Sequence, residues 1–348
     1  MTTIPAVNSQ TPKRILVTGA SGFIGGHVCE ALIKRGARVR AMVRRSSDVA
    51  LLKELGVELA YGDMGDVAGM EAACDGIDVV VHTAAAVGSY GEWEHFNEVG
   101  VLGTQRLIDA AASKGATRFI HISSIAVYGF RQLKGPVNED APFDEEPQGW
   151  NHYVREKVLS ERLLWQAHEA GKIRATSIRP VIVIGERDRN ALPRLVELLN
   201  LPVTALPGNP GLHFPVVCIE DCVDAIVRSI YNDVAIGRAY NVSGDQRITL
   251  GEFFGLLAKH AKRPAPRLYL PTGLVTFMVG LLEGTWKLLR RPGEPITTRI
   301  AIVLAGYDYD TDCTRTQQEL GWSAKGSYEA AIVAGMQKPS ETRFGQTA

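Results

Sequence analysis

The chain opens with short apolar runs that alternate with stretches of helical spacing. Residues 14–19, RILVTG, read as a buried strand, and Ile24, Val28 and Leu32 then recur at the interval of one helix face. RVRAMV at 38–43 puts Val39, Ala41 and Val43 on alternate positions, the period of a strand. VELAYGD, DVVVHTAA, RFIHISS and ATSIRP continue the series, each separated from the next by room for a helix. Strands alternating with helices build βαβ units, whose right-handed crossovers give a parallel sheet covered on both faces. The expected fold class is α/β, a doubly wound parallel sheet with a smaller C-terminal region.

After about Arg179 the pattern loosens. LPVTALPGNPGLHFP at 201–215 is rich in Pro and Gly, which points to loops or short irregular strands. IEDCVDAIVRSI reads as a helix capped near Glu220 and Asp221, RAYNVSG as a late strand, and TLGEFFGLLAKHA opens with Thr249 and Glu252 at the spacing of a capping box. The boundaries drawn from this are a first unit at 13–180, a mixed substrate-facing region at 181–340 interleaved with the last strands of the sheet, and a loose polar tail at 1–12 without the apolar core of a signal peptide. In PTGLVTFMVGLLEGTWKLLRR, residues 271–291, only the part up to Leu282 is uncharged, too short to span a bilayer. The segment reads either as a partly buried helix or lid near a pocket, or as a peripheral membrane patch flanked by Lys287, Arg290 and Arg291.

Length and composition narrow the partners. At roughly 150 residues per domain, 348 residues make about two domains or one with an annex. Lys plus Arg and Asp plus Glu number 38 each, so the chain lacks the basic surplus that nucleic-acid binding needs. Five scattered cysteines point to reduced thiols in a cytoplasmic protein. Cys218 and Cys222 stand at CxxxC spacing without companion ligands, so no metal is expected.

The chemistry begins at TGASGFIGGH, which follows a strand and opens a helix. Gly19, Gly22 and Gly25 allow a tight turn and a close backbone approach, and the helix N-terminus favours a pyrophosphate, so Ser21, Phe23 and Ile24 join the glycines as expected dinucleotide contacts. An NAD site carries an acid at the end of the second strand; here Val43 is followed by Arg44, Arg45 and Ser46, groups suited to a 2′-phosphate, with Asp48 several residues late. NADP(H) is therefore favoured over NAD(H). Asp63 and Met64 after the third strand, and the small Thr83, Ala84 and Ala85 after the fourth, complete the expected cofactor surface.

TGASGFIGGH, the GD at 62–63, HTAAA, SSIAVYG, YVREK and RPVIVIG, in that order, resemble the extended short-chain dehydrogenase/reductases, the NAD-dependent epimerase/dehydratase group, over roughly residues 13–335. The resemblance implies a Rossmann-like fold, a catalytic Ser124 (Ser123 if the register slips by one), Tyr153 as general acid/base and Lys157 as its partner and ribose ligand. Spacing agrees for the last two, since residues four apart share a helix face and an ammonium favours the phenolate. The family segment that packs against the nicotinamide falls on Pro180 and Val181, and Ser123 joins the cofactor set. Two positions depart from the pattern. Gly100 stands where the family usually has Asn, with Asn97 one turn earlier. Ile125 and Ala126 stand where sugar dehydratases have an Asp-Glu pair.

Within the group the chain looks most like the 3β-hydroxysteroid dehydrogenase and dihydroflavonol-reductase-like branches, through residues 41–63, 185–199 and 270–322. That implies interconversion of a secondary alcohol and a ketone on a hydrophobic steroid-, flavonoid- or ketoacyl-like substrate, and by analogy a homodimer. Val87, Tyr90, Trp93, Phe130, Trp150, Phe214 and parts of 271–289 would line an apolar pocket. The alternative is a nucleotide-sugar epimerase with tightly bound NAD, for which Arg187, Arg189, Arg194 and His213 are available.

Overall fold

The computed structural model describes residues 14–85, 90–129, 135–291 and 293–337. The expected 1–12 tail, Val87 and Phe130 lie outside them. The first half runs β1 (Arg14–Thr18), α1 (Phe23–Lys34), β2 (Arg38–Val43), α2 (Ala50–Glu54), β3 (Glu58–Tyr61), α3 (Val67–Cys74) and β4 (Val79–His82). It continues through α4 (Trp93–Phe96), a π-helical turn (Asn97–Leu102), α5 (Gly103–Ser113), β5 (Arg118–Ile122), a 3-10 turn (Ile125–Tyr128), α6 (His152–Glu169) and β6 (Arg174–Pro180).

These strands and a later one form a seven-stranded sheet of order β10-β6-β5-β4-β1-β2-β3, in which every pairing is parallel. The order reverses direction between β1 and β4, and the crevice outside the carboxyl ends of strands at such a switch point is where doubly wound sheets bind ligands. Strand residues alternate between two cores. Ile15, Val17, Val79, Val81, Ile120 and Ile122 pack on one face, while Leu16, Val80 and Phe119 pack with Leu107, Ile108 and Leu164 on the other. A strand buried on both faces is apolar throughout, which is why these segments read as continuous runs.

After Pro180 the chain leaves the sheet through β7 (Ile182–Ile184), α7 (Ala191–Leu199), β8 (Ala205–Pro207) and β9 (Val216–Cys218), and returns with α8 (Ile219–Tyr231), which packs beside α1, and β10 (Arg238–Val242), which pairs with β6. Then follow α9 (Leu250–Ala261), β11 (Leu268–Leu270), α10 (Thr272–Leu288), α11 (Arg299–Gly306), α12 (Thr314–Leu320) and α13 (Tyr328–Met336). The outer part has its own core around Phe214, Phe253 and Phe254, with the first two ring centroids 4.6 Å apart.

The capping box forms as its spacing requires, Thr249 taking the amide of Glu252 and Glu252 returning a bond to Thr249. The start of α8 needs correction. Its cap is Cys218, and the Asp221 carboxylate instead turns inward to accept the amides of Lys325 and Gly326. Phe214 needs the second correction: it is 1% exposed and belongs to the outer core rather than a pocket wall. All five cysteines are free and buried, and the described residues hold no cluster able to bind a metal.

Candidate active site

The turn after β1 is built so tightly that only glycine fits. Gly19 has φ +67°, and a Cβ there would stand 2.7 Å from both Ala84 N and Thr83 Oγ1. A Cβ on Gly25 would meet Gly19 O at 2.3 Å and Thr83 Oγ1 at 2.8 Å. The turn is thus locked against the end of β4, where the Thr83 hydroxyl donates to Thr18 O at 2.7 Å. Gly22 is exposed and caps α1 with no side-chain bond to the first amides of that helix, and Ser21, Phe23 and Ile24 beside it are half-buried. A cradle whose walls a Cβ would fill, opening onto a helix N-terminus, fits a dinucleotide pyrophosphate.

At the rim, Arg44, Arg45 and Ser46 are exposed beyond β2, and the Arg45 guanidinium lies 5.5 Å over the Tyr61 ring. Asp48 is occupied: it accepts the Ala50 amide at 3.1 Å and lies 4.0 Å from Arg189. Asp63 is exposed and closes its own turn by accepting the Gly65 amide at 2.8 Å. Met64 is buried instead, packed so closely on Gly103 that a Cβ there would lie 2.8 Å away, so its side chain belongs to the core. Ala84 and Ala85 are half-buried past β4. Pro180 and Val181 are buried where β6 ends, with Val181 bonded through its amide to Val242 O.

Ser124 follows β5 and caps the 3-10 turn, its hydroxyl accepting the Ala126 amide at 3.2 Å; Ser123 before it is buried. Helix α6, capped by Asn151, packs against this turn. It carries Tyr153, half-buried in its first turn, and Lys157 one turn on. The Lys157 ammonium is 5.8 Å from the Tyr153 ring centroid and its side chain is only 5% exposed. The fold therefore gathers Gly19, Ser124, Tyr153 and Lys157 around the carboxyl edge of the sheet.

Four buried polar residues near this edge escaped the sequence reading. Thr18, His82, His121 and Ser177 are register partners across β1, β4, β5 and β6, so they form one row on the face that α5 and α6 cover. The Thr104 hydroxyl donates to Gly100 O at 2.5 Å, so it accepts from His82 Nε2 at 2.9 Å, and His82 Nδ1 accepts from the Thr18 hydroxyl at 2.7 Å. The acceptor role of Nδ1 follows from a neutral ring, since burial disfavours the imidazolium. Burial holds both imidazoles well below their ordinary pKa, and the charge of Lys157 pushes the same way. A histidine closing β4, in HTAA, and another next to the last residue of β5, in HISS, were the available signal.

The family model described as NAD dependent epimerase/dehydratase matches residues 15–243. The 2-alkyl-3-oxoalkanoate reductase of Shewanella oneidensis is 24% identical over 91% of this chain and 84% of its own length. Sterol demethylase protein B of Methylococcus capsulatus is 30% identical over 88% and 92% respectively. The crystal structure of a UDP-glucuronic acid 4-epimerase from Bacillus cereus in complex with NAD superposes with a TM-score of 0.70 over 92% of this chain and 97% of that one, at 23% identity, a likeness of fold alone. The chain belongs to the NAD-dependent epimerase/dehydratase family and is an NAD(P)-dependent dehydrogenase/reductase of the extended short-chain type.

Proposed function

We propose that the protein interconverts a secondary alcohol and a ketone on an apolar substrate, with NADP(H) as its cofactor. The observation that carries this is Lys157, buried under the phenol of Tyr153 on one helix that packs against the Ser124 turn. A nicotinamide bound in this cradle would supply or take up the hydride at the substrate carbon. Tyr153 gives the proton to the carbonyl oxygen in reduction and takes it from the hydroxyl in oxidation. Ser124 would donate a hydrogen bond to that same oxygen, and Lys157, its ammonium 5.8 Å from the Tyr153 ring centroid, would hold the nicotinamide ribose. Ile125 and Ala126, both buried, offer no second acid and base for eliminating water.

Arg44, Arg45 and Ser46 at the end of β2, with Asp48 already engaged, favour a 2′-phosphate over a bare ribose. The second half favours an apolar substrate over a nucleotide sugar. Arg187 is bonded to Glu30 at 2.7 Å, Arg189 faces Asp48 and Arg194 is paired with Glu294, so each cation proposed for a diphosphate already has an acid. His213 is buried and bonded to Tyr309 O. The two curated relatives are named for an alkyl oxoacid and a sterol.

Residues 271–291 supply the approach to the substrate site. Val275, Val279 and Glu283 bury one side of α10, while Leu274, Phe277, Met278 and Leu281 are exposed on the other, with Arg290 and Arg291 exposed just beyond. No helix among the described residues is long and apolar enough to cross a membrane. An exposed apolar face beside two cations fits the surface of an anionic bilayer, from which an apolar substrate would be drawn. Tyr90, one of the proposed pocket residues, donates to Glu283 O and links this helix to the first half.

The test is cofactor titration followed by a substrate screen. NADPH should bind at least about tenfold more tightly than NADH, and Arg44→Ala should remove most of that difference, as the loss of a charged phosphate contact requires. Ketosteroids, flavonoid ketones and β-ketoacyl compounds should give net cofactor turnover. Conversion of a UDP-sugar without net turnover would replace this reading with epimerisation.

A further inference from the structure

Glu156 turns its carboxyl into the protein rather than to solvent, directly beside Lys157. It is 1% exposed, and its Oε1 lies 3.7 Å from the Lys157 ammonium. Its Oε2 is buried and has no hydrogen-bond partner among the described residues. Gly100 in the π-helical turn makes room for it: a Cβ at that position would stand 2.3 Å from Glu156 Cγ and 2.4 Å from its Oε1. The missing side chain at residue 100 is thus the space that the Glu156 carboxyl occupies.

Among the described residues, the other titratable groups near this carboxyl do not balance Lys157. His82 on β4 and His121 on β5 are held neutral by burial. The π-helical turn and α5 contribute Glu98 and Arg106, which pair with each other at the surface at 2.5 Å. Further along α6, Glu161 is taken by Arg179 at 2.6 Å. Burial raises the pKa of Glu156 and the Lys157 ammonium opposes that rise, as expected of a carboxyl that needs its cation to stay charged.

We propose that Glu156 is a positioning residue: as a carboxylate it holds the Lys157 ammonium beneath Tyr153 and, through that pair, sets the pH at which the Tyr153 phenol gives up its proton. This rests on the Tyr153–Lys157 reading above. Removing a negative charge makes every neighbouring group lose its proton more readily. Without the carboxylate, both Lys157 and Tyr153 should deprotonate at lower pH.

The test uses Glu156→Gln, with Glu156→Ser as a second variant in case the first does not fold. The primary readout needs no substrate: near-ultraviolet absorbance of tyrosinate, taken as the difference between each protein and its Tyr153→Phe counterpart. The midpoint should fall by about one pH unit in the folded variant. In turnover, both limbs of the kcat–pH profile should move to lower pH together while KM changes by less than about twofold. A midpoint that stays in place, or a drop in kcat with both limbs unmoved, would mean that Glu156 only fills space and would overturn the proposal. If the unaltered protein shows no titration belonging to Tyr153 at all, Tyr153 is not the proton carrier and both readings fall. If Tyr153 titrates and shifts but no ketone is reduced, only the substrate reading fails.

Discussion

The two faces of the central sheet come from the same strands and end differently. Under α1 and α8 the inward residues stay apolar to the carboxyl end: Val17, Val81, Ile122 and Ile178 are all in one core. On the face under α5 and α6, Leu16 gives way to Thr18, Val80 to His82, Phe119 to His121 and Ala175 to Ser177. Glu156, Lys157, Glu161 and Arg179 lie on the same side and are each less than a twentieth exposed. One face is a scaffold whose stability comes from excluded water. The other trades that stability for charge and hydrogen bonds close to the reacting groups, which low dielectric strengthens but makes costly to leave unpaired.

The largest effect expected separates chemistry from stability. Tyr153→Phe removes one half-buried hydroxyl and should lower kcat by about 10²–10⁴-fold, the usual worth of a general acid, while unfolding midpoints and NADPH affinity stay close to those of the parent. Substantial turnover in that variant would place the proton carrier elsewhere.

Arg179→Met tests the polar face as structure. Arg179 donates to both Glu161 oxygens and to the Tyr128 hydroxyl at 2.6 Å, all deep in the protein. Its loss leaves the buried Glu161 carboxylate without its cation, with the Trp165 indole N–H at 3.1 Å as its remaining donor, at a cost of about 3–5 kcal/mol in chemical denaturation. Adding Glu161→Leu should recover much of it. If the single variant is as stable as the parent, the charges on this face do not depend on each other.

The apolar face should show the reverse of Tyr153→Phe. Ile226 on α8 is fully buried. Ile226→Ala should cost about 2–5 kcal/mol, with kcat per folded molecule unchanged. A change in the pH profile of this variant would mean that the two faces are not separable.

Both faces were unequally legible in the sequence. The glycine turn, the basic end of β2, the Thr249 cap and the Tyr153–Lys157 spacing are local, set by residues within a turn or two of each other, and so could be read directly. The polar row could not, because it exists only once β1, β4, β5 and β6 are in register. Glu156 was hidden for a related reason: between Tyr153 and Lys157 it looks like an ordinary helical charge, and only the packing of α6 on the π-helical turn sets it over Gly100. In the second half, the β7–β9 and β8–β11 pairs are three residues long in each strand, too short for any period to show. Phe214 is apolar and lies near a loop, which fits a pocket and a core equally well; burial against Phe253 decided it.

The smallest effect expected tests whether the histidine row is a neutral part of the polar face. His82 and His121 have folded pKa values lowered well below the ordinary 6.5, first by burial. A lowered folded value means that the unfolded chain takes up the proton first. Their contribution is therefore fully present above the unfolded pKa and is lost as pH falls below it, by about 1.4 kcal/mol per pH unit for each histidine. His121→Gln removes one such group while keeping a polar side chain, so between about pH 6 and pH 5 it should lose roughly 1 kcal/mol less stability than the parent. Denaturation measured at both pH values reads this directly. If parent and variant lose the same amount, His121 is already protonated in the folded protein, and Lys157 would then share its buried face with a second positive charge.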